Sequence, residues 1–484
     1  MSRDSETAAG SSGGINQREI AMEKIEVHST AEAAEDRVDA GKASKSQYLR
    51  PSRLAITAAA LAAGLLVQTQ GFTQVPISTS PSASTAADAQ TMSGPEKAAR
   101  QTWHAVMRNI PLPGRGCFHA SYPNVAWESV ECKEAKPRAY PPSVNGKVGA
   151  PGTGDGKDYI AQSQGLINFA AGKFFVTNVT SETNVNTPNN TGGILGSNEY
   201  SLQLNTNNRC TSTSPAEYCV TTTAGTFIHT AACGDYGDCD VWQQFIYATD
   251  YNGPGEGGAL FMQYWLYNWV GNCPTSYWGY QLVDGQMKGK LGGLPWYGWT
   301  PSGNGYYCYK NSNLAAVPDI PVTNLGDVIL TANAVIGGDD AVWLEYGDDS
   351  WGVDAEDSSR ASNPGLDIAS VWNQAEFNVL GDMNSSEATF NDGAQIIVVL
   401  ALEDGSQSAP SCLANVSTSG EQNNMTLGTC QGAVGNVIDL GGCGNQTNCV
   451  GEFLYGPYIE FGESVPVFCP LCRLRPPGPP PPIK

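Results

Sequence analysis

Carboxylates and amides are the side chains with which this chain could do chemistry. Histidine is scarce, with four residues in 484, and three of these follow the N-terminal apolar segment: His104, His119 and His229. None has the spacing of a zinc site or of a nucleophile with its base, so zinc, serine-histidine and cysteine-histidine mechanisms lack support. The candidates are a glutamate, Glu376 in "QAEF", and the paired glutamines of "WQQF".

Glu376 lies in the middle of a predicted strand, "WNQAEFNVLGD", residues 372 to 382. Strand side chains alternate between two faces, which gives this segment an apolar face (Ala375, Phe377, Val379) and a polar face (Gln374, Glu376, Asn378). A polar face of this kind either meets solvent or lines a cleft. The residues that neighbouring strands contribute favour the cleft.

Two further strands place amides among aromatic side chains. In "DVWQQFIYATD" alternation puts Gln243 on one face and Trp242 with Gln244 on the other, unless a bulge intervenes. In "GGALFMQYWLYNW" one face carries five side chains: Phe261, Gln263, Trp265, Tyr267 and Trp269. We predict that substrate is bound by four residues: Trp242, Gln263, Trp265 and Tyr267. In the alternative interpretation the rings fill a large core and hydrogen bonds satisfy Gln263.

The order of these segments resembles that of the eqolisins, a family of acid-active glutamic peptidases. The matching segments follow one another between about residues 160 and 405: "VWQQF", "MQYWLYNW", "IPVTNLGDVILTANAV", "QAEFNVLGD" and "SEATFNDGAQIIVV". The resemblance implies a β-sandwich that hydrolyses peptide bonds of a polypeptide substrate. It places the catalytic glutamate at Glu376 and the catalytic glutamine at Gln243, with Gln244 as competitor because the doubled glutamine leaves the register open.

A glutamate and a glutamine are a chemically reasonable pair for this reaction. The glutamate takes a proton from a water molecule and returns one to the leaving amine; unperturbed glutamate ionises near pH ~4.3, which suits acidic conditions. The glutamine amide donates a hydrogen bond to the oxyanion of the tetrahedral intermediate, which is worth roughly 3 kcal/mol for one well-placed donor. The resemblance implies no metal and no organic cofactor.

Composition excludes one class of partner and indicates a fold class. Lys and Arg number 26 against 47 Asp and Glu, a formal charge of -21 that repels phosphate backbones, so we expect no nucleic-acid partner. Only 15% of residues are charged, and short strands bounded by Gly and Asn turns recur from about residue 158. The sequence predicts an all-β protein, an antiparallel β-sandwich (jelly-roll or concanavalin-like) with disulfide-stapled extensions.

Changes in composition along the chain predict six regions. They are a disordered N-terminal region (1–46), a signal peptide or signal anchor (47–75), a Pro/Ser/Ala linker (76–103), a small disulfide loop or prosegment (104–155), the β-sandwich domain (156–468) and a Pro-rich tail (469–484). The apolar run at 54–67 has the length of a signal-peptide core, and it would anchor the protein to a membrane if it stayed uncleaved.

All 14 cysteines follow the apolar run, which in an exported chain indicates disulfides. Proximity in sequence suggests four pairs: Cys117–Cys132, Cys210–Cys219, Cys233–Cys239 and Cys443–Cys449. "CPLC" at 469–472 has the alternative interpretation of a redox or zinc half-site.

The leading hypothesis is a secreted, acid-acting glutamic endopeptidase that works as a monomer. The main alternative is a non-catalytic sandwich that binds carbohydrate or a cell surface through its aromatic strand. A glycan-cleaving enzyme that pairs Glu376 with Asp382 or Glu387, and a disulfide-stapled structural protein of the cell envelope, are further alternatives.

Overall fold

The computed structural model describes most of the chain from residue 94 onward. The described ranges are 94–136, 138–143, 152–188, 192–207, 209–212, 214–222, 226–234, 237–253, 255–267, 280–283, 286–291, 294–295, 307–355, 366–437 and 454–466. The predicted signal segment, the Pro-rich tail, the Cys443–Cys449 pair and the "CPLC" segment lie outside these ranges.

Strands account for nearly all the regular structure of the described chain. In chain order they are β1 (Gly116–Ser121), β2 (Glu128–Val130), β3 (Thr153–Gly154), β4 (Asp158–Gln162), β5 (Phe169–Thr177), β6 (Glu182–Val185), β7 (Gly196–Ser197), β8 (Tyr200–Thr206), β9 (Cys219–Thr221), β10 (Thr226–Ile228), β11 (Asp240–Ala248), β12 (Gly258–Tyr267), β13 (Tyr280–Val283), β14 (Gln286–Leu291), β15 (Leu294–Pro295), β16 (Tyr307–Asn311), β17 (Ala315–Val317), β18 (Val328–Asn333), β19 (Asp340–Tyr346), β20 (Asp349–Ala355), β21 (Gln374–Gly381), β22 (Glu387–Phe390), β23 (Gln395–Glu403), β24 (Ser411–Val416), β25 (Gln422–Asn423), β26 (Thr426–Val437) and β27 (Leu454–Ser464). Short 3-10 turns occur at Ala216–Tyr218, Ala231–Cys233, Val322–Asp327 and Ile368–Ser370.

Two large antiparallel sheets pack face to face, which confirms the predicted sandwich. The first sheet has the strand order β2-β1-β20-β19-β18-β5-β23-β27-β26. The second, which we call the site sheet, has the order β16-β12-β11-β8-β21-β4-β24, with β17 also paired to β12. The described residues also form three smaller sheets: β3-β25-β22-β6-β7, β9-β10 and β13-β14-β15.

The core between the two sheets follows from strand alternation. The apolar face predicted for residues 372–382 is buried there, and Phe377 stacks on Phe174 of the first sheet with ring centroids 4.6 Å apart. Gly172 faces the same ring so closely that a Cβ at this position would lie 2.3 Å from atoms of Phe377. Glycine is therefore required at residue 172 if the sheets are to keep their separation.

One helix, α1 (Gly94–Arg108), was not expected from the sequence, where residues 76–103 are predicted as a linker. Its Trp103 and Met107 are buried against Ala120 of β1, and Arg108 forms a 3.1 Å ion pair with Glu345 of β19. The helix thus packs against the first sheet through one apolar face and an ion pair. Among the described residues, no helix combines the length and the apolar character needed to cross a bilayer.

Four disulfides lie within the described residues. Three confirm pairs predicted from proximity: Cys117–Cys132, Cys210–Cys219 and Cys233–Cys239. The fourth, Cys412–Cys430, joins edge strand β24 of the site sheet to edge strand β26 of the first sheet. No described cysteine is free.

Candidate functional site

A row of polar side chains crosses the outer face of the site sheet. The ladders pair Gln263 with Gln244, Gln244 with Asn205, and Asn205 with Glu376. Directly opposed residues project from the same face of a sheet, and neighbouring strands lie about 4.8 Å apart. Gln244 and Glu376 therefore stand on one face, separated by the single residue Asn205. We call these four residues the polar row.

The Glu376 carboxylate is held through one of its two oxygens. Its Oε2 accepts hydrogen bonds from the backbone N–H of Thr418 at 2.8 Å and from the Thr418 hydroxyl, and Asn205 Nδ2 lies at 3.5 Å. Oε1 is buried and has no hydrogen-bond partner among the described residues. The side chain is 1% exposed. A carboxylate fixed in this way keeps one oxygen available for a proton-transfer partner.

Gln244 is oriented by a second glutamine on the next strand. Its Nε2 donates to Gln203 Oε1 at 2.9 Å, which leaves the second N–H of the amide uncommitted. Gln203 is itself fixed, because its Oε1 accepts from the Ser419 hydroxyl at 2.7 Å and its Nε2 faces Glu421 at 3.3 Å. The Oε1 of Gln244, like the Oδ1 of Asn205, is buried without a partner in the described part of the chain.

Gln243 lies on the opposite face of the same strand. The register of β11 with β12 is continuous, so no bulge disturbs the alternation. Gln243 is fully buried between the sheets, where its Nε2 donates to Asp340 Oδ2 of the first sheet at 2.8 Å. The site sheet itself thus lies between the Gln243 side chain and Glu376, and Gln244 is the glutamine that shares a face with Glu376.

The aromatic residues predicted to bind substrate share the face of the polar row but are buried. Trp242 and Trp265 are 0% and 2% exposed, and Trp265 stacks on Tyr309 with ring centroids 4.9 Å apart. Tyr267 is 8% exposed and meets Trp242 edge-on at 6.3 Å. These rings therefore form an apolar wall beside the polar row rather than an exposed platform.

Gln263, the fourth predicted binding residue, has all its hydrogen-bonding atoms engaged. Its Oε1 accepts from Trp265 Nε1 at 3.0 Å and from the backbone N–H of Tyr140 at 2.8 Å. Its Nε2 donates to the carbonyl of Arg138 at 2.7 Å and to Asn311 Oδ1 at 2.6 Å. Gln263 therefore binds the backbone of residues 138–140, which precede β4 of the site sheet.

A group of buried carboxyls lies beside Glu376. Asn378 Nδ2 donates to Asp158 Oδ2 at 2.9 Å and to Glu463 Oε1 at 2.7 Å. Burial raises the pKa of Asp158 well above its usual range, with added repulsion from Glu376 and Glu463, and burial raises the pKa of Glu463 to about 7. These groups hold protons in the acidic range, which lowers the negative charge packed around Glu376.

Sequence reasoning missed several residues of this site. Asn205 and Gln203 lie in "YSLQLNTN", whose alternation of polar and apolar residues has the same signature as the Glu376 strand and would have identified them. Thr418 and Glu421 lie in a loop with no periodic signal, and only the fold brings them to Glu376 and Gln203. In the described part of the chain, no three His, Cys, Asp or Glu side chains are grouped to hold a metal ion.

Comparison with solved structures gives a weak similarity to one group of enzymes. Scytalido-glutamic peptidase, solved with a peptide-based transition state analogue, is similar at 9% identity and a TM-score of 0.20 over 63% of this chain and 97% of that chain. A second structure of that enzyme, with a transition state analogue inhibitor, gives 10% identity and a TM-score of 0.20 over 65% and 98%. SCP-B, an eqolisin family member solved with the tripeptide Ala-Ile-His, is similar at 9% identity and a TM-score of 0.18, over 63% of this chain and 97% of that chain.

The chain has a distant structural resemblance to the eqolisin peptidases. No protein-family model matches the sequence. No curated protein matches it either. The chemistry that follows is therefore argued from the side chains of the polar row.

Proposed function

We propose that this protein is a secreted peptide-bond hydrolase that works at acidic pH with Glu376 as general acid and base and Gln244 as oxyanion stabiliser. The observation that carries the proposal is the polar row: a carboxylate and an amide on one face, each with uncommitted hydrogen-bonding capacity and both held by neighbouring side chains. The proposal gives Gln243 no role in this chemistry, since its side chain faces the interior of the sandwich, away from Glu376.

The proposed steps use only groups of the polar row and a water molecule. Glu376 Oε1 accepts a proton from the water while the water oxygen attacks the substrate carbonyl carbon. The N–H of Gln244 that is not bonded to Gln203 donates to the oxyanion that forms. The tetrahedral intermediate then collapses: its C–N bond breaks, and Glu376 passes the proton to the leaving amine. The two bonds from Thr418 to Oε2 fix the carboxylate so that Oε1 is the oxygen that exchanges the proton.

Acidic working conditions and secretion are supported by two further features. Asp158, Glu421 and Glu463 are buried around the site, and the raised pKa of each favours the protonated form at low pH. The four disulfides are typical of proteins that mature in an oxidising compartment.

Hydrolysis of a denatured protein by the purified secreted chain, followed from pH 2 to 7, tests the proposal. Cleavage with an acidic optimum is expected, and Glu376→Gln should lower it by about 10²- to 10⁴-fold because the amide cannot exchange the proton. Glu387→Gln is the matched control, since Glu387 lies on β22 of a different sheet. Equal activity of Glu376→Gln and the unsubstituted chain would overturn the proposal.

The alternatives fit the geometry less well. A carbohydrate-binding surface would need exposed rings, whereas Trp242, Trp265 and Tyr267 are buried. A glycosidase pair needs two carboxyls roughly 5 to 10 Å apart. Asp382 follows Glu376 by six positions along an extended strand, a separation on the order of 20 Å.

A further inference from the structure

A segment that precedes the long strands of the sandwich lies across the outer face of the site sheet. We call it the strap, residues 133–136 and 138–143. Its start is fixed by the Cys117–Cys132 disulfide and by two backbone hydrogen bonds between Lys133 and Leu314, at 3.0 and 2.9 Å. From there it runs over β12 toward the loop that holds Glu376.

The strap is bound to the polar row through its backbone. Gln263 accepts from the N–H of Tyr140 and donates to the carbonyl of Arg138, at 2.8 and 2.7 Å. A side-chain amide that accepts and donates in this way matches an extended peptide of any sequence, because each residue other than proline offers one N–H and one carbonyl. Trp265 and Asn311 hold the Gln263 amide in the orientation that this pairing requires.

Beyond Tyr140 the strap pairs with the loop that orients Glu376. The carbonyl of Pro141 accepts from the Gly420 N–H at 2.8 Å, and the Ser143 N–H donates to the carbonyl of Thr418 at 2.8 Å. Pro142 forms an antiparallel bridge with Ser419 between these bonds. Thr418 is the residue that holds the Glu376 carboxylate, so the strap ends one residue away from the proposed catalytic group.

The Tyr140 side chain of the strap packs against the outer face of the site sheet. It is fully buried in an apolar cluster with Ile246 and Phe261, with ring centroids 6.0 Å from Phe261, and its hydroxyl donates to Asp382. Burial raises the pKa of Asp382 to about 8. The subsite therefore combines apolar walls with one polar group at its end, which fits tyrosine and other aromatic side chains.

We propose that residues 138–143 occupy a peptide-binding groove as an intramolecular ligand, and that the groove, once the strap is displaced, takes an extended peptide with an aromatic residue at the position of Tyr140. This inference rests on the proposed function for its biological role, since it identifies the substrate class of the same site. Glu376 and Gln244 are 1% and 0% exposed, so a substrate reaches them only when the segments covering the polar row move. The strap covers the Gln263 end of the polar row and pairs with the loop that holds Glu376, so a peptide that binds along this face has to displace it.

Peptide binding, measured in the absence of cleavage, tests the inference. The probe is a fluorescein-labelled peptide with the sequence of residues 138–143, RAYPPS, and its partner peptide RAAPPS lacks the aromatic side chain. Fluorescence anisotropy at pH 4 is recorded with the full chain carrying Glu376→Gln, alone and combined with Tyr140→Ala or Tyr140→Phe. The Phe variant keeps the ring and loses only the bond to Asp382.

We expect Tyr140→Ala to bind RAYPPS at least about tenfold more tightly than the chain with Tyr140, because the intact strap competes at an effective concentration of roughly millimolar. Tyr140→Phe should bind RAYPPS about threefold more tightly than the chain with Tyr140. If near-ultraviolet circular dichroism shows that the Ala variant is unfolded, the Phe variant decides the test. RAAPPS should bind at least about tenfold more weakly than RAYPPS. Equal affinity of the three proteins for RAYPPS, or of the Ala variant for both peptides, would overturn the inference.

The two proposals fail in different ways. If the Tyr140 variants bind the peptide but no chain with intact Glu376 cleaves protein, the groove stands and the peptidase proposal falls. If the unsubstituted chain cleaves protein as fast as its Tyr140→Phe variant and the variants gain no peptide affinity, the peptidase proposal stands and the strap is not an inhibitor.

Discussion

Gln244 and Glu376 face the same side of the site sheet with only Asn205 between them, while Gln243 points into the sandwich and donates to Asp340. Two adjacent glutamines in one strand thus have different environments. Gln243 donates to a carboxylate of the opposite sheet, whereas Gln244 donates to Gln203 of its own sheet, on the face that carries Glu376. This difference allows the role of each to be tested separately.

Substitution of the two glutamines should separate catalysis from stability. Gln244→Ala removes the proposed oxyanion donor, so we expect kcat to fall by about 10²- to 10³-fold. Gln243→Ala leaves the buried Asp340 without this donor, which should cost about 1 to 3 kcal/mol of unfolding free energy and change kcat little. Peptidase kinetics and urea unfolding of both variants check this. A larger loss of kcat in Gln243→Ala than in Gln244→Ala would contradict the assignment.

Thr418 should act as a positioning residue for Glu376. Thr418→Val removes the hydroxyl bond to Oε2 and keeps the backbone bond, and we expect kcat to fall about tenfold. Peptidase kinetics at the acidic optimum measure the change. Thr418→Ser keeps the hydroxyl and serves as control, with near-normal kcat. A Val variant with unchanged kcat would show that the hydroxyl does not position Glu376.

The protein should be most stable in acid. Burial raises the pKa of Asp382 to about 8 and the pKa of Glu421 and Glu463 to about 7. A carboxyl whose pKa is higher in the folded than in the unfolded protein stabilises the fold fully below its unfolded pKa, near ~4. Between the unfolded and the folded pKa, each such group lowers the free energy of unfolding by about 1.4 kcal/mol per pH unit as pH rises. We expect Tm to fall by at least about 10 °C between pH 4 and pH 8.

Scanning calorimetry across this range measures the effect. Asp382→Asn keeps an acceptor for Tyr140 and removes one titrating group, so its Tm should depend less steeply on pH. A Tm that stays constant or rises toward pH 8 would contradict the expected linkage.

The Cys412–Cys430 disulfide should stabilise the edge of the sandwich where β24 and β26 meet. It joins strands of opposite sheets across a sequence separation of 18 residues, and loss of such a cross-link costs about 3 kcal/mol. The double variant Cys412→Ser with Cys430→Ser should show this loss in urea unfolding. The matched control is Cys210→Ser with Cys219→Ser, whose separation is only 9 residues, and its loss should be smaller. Equal losses would argue against the loop-closure explanation.

The sequence by itself determined the sandwich, because alternation is a local property of each strand. The apolar face of residues 374–381, the shared face of Phe261, Gln263 and Trp265, and three disulfides between nearby cysteines were all readable from spacing. Alternation also predicted that Gln243 and Gln244 face opposite ways. It could not tell which face is the interior, since both neighbours of the pair are apolar or aromatic.

Only the tertiary structure decided which residues meet across the sheet. Strand order and register place Asn205 between Gln244 and Glu376, and they depend on long-range pairing that no local pattern encodes. The same holds for Thr418 and for the strap, whose contacts with Gln263 and Asp382 join residues more than a hundred positions apart. The sequence thus supplied the candidate chemistry, and packing selected the side chains that can act together.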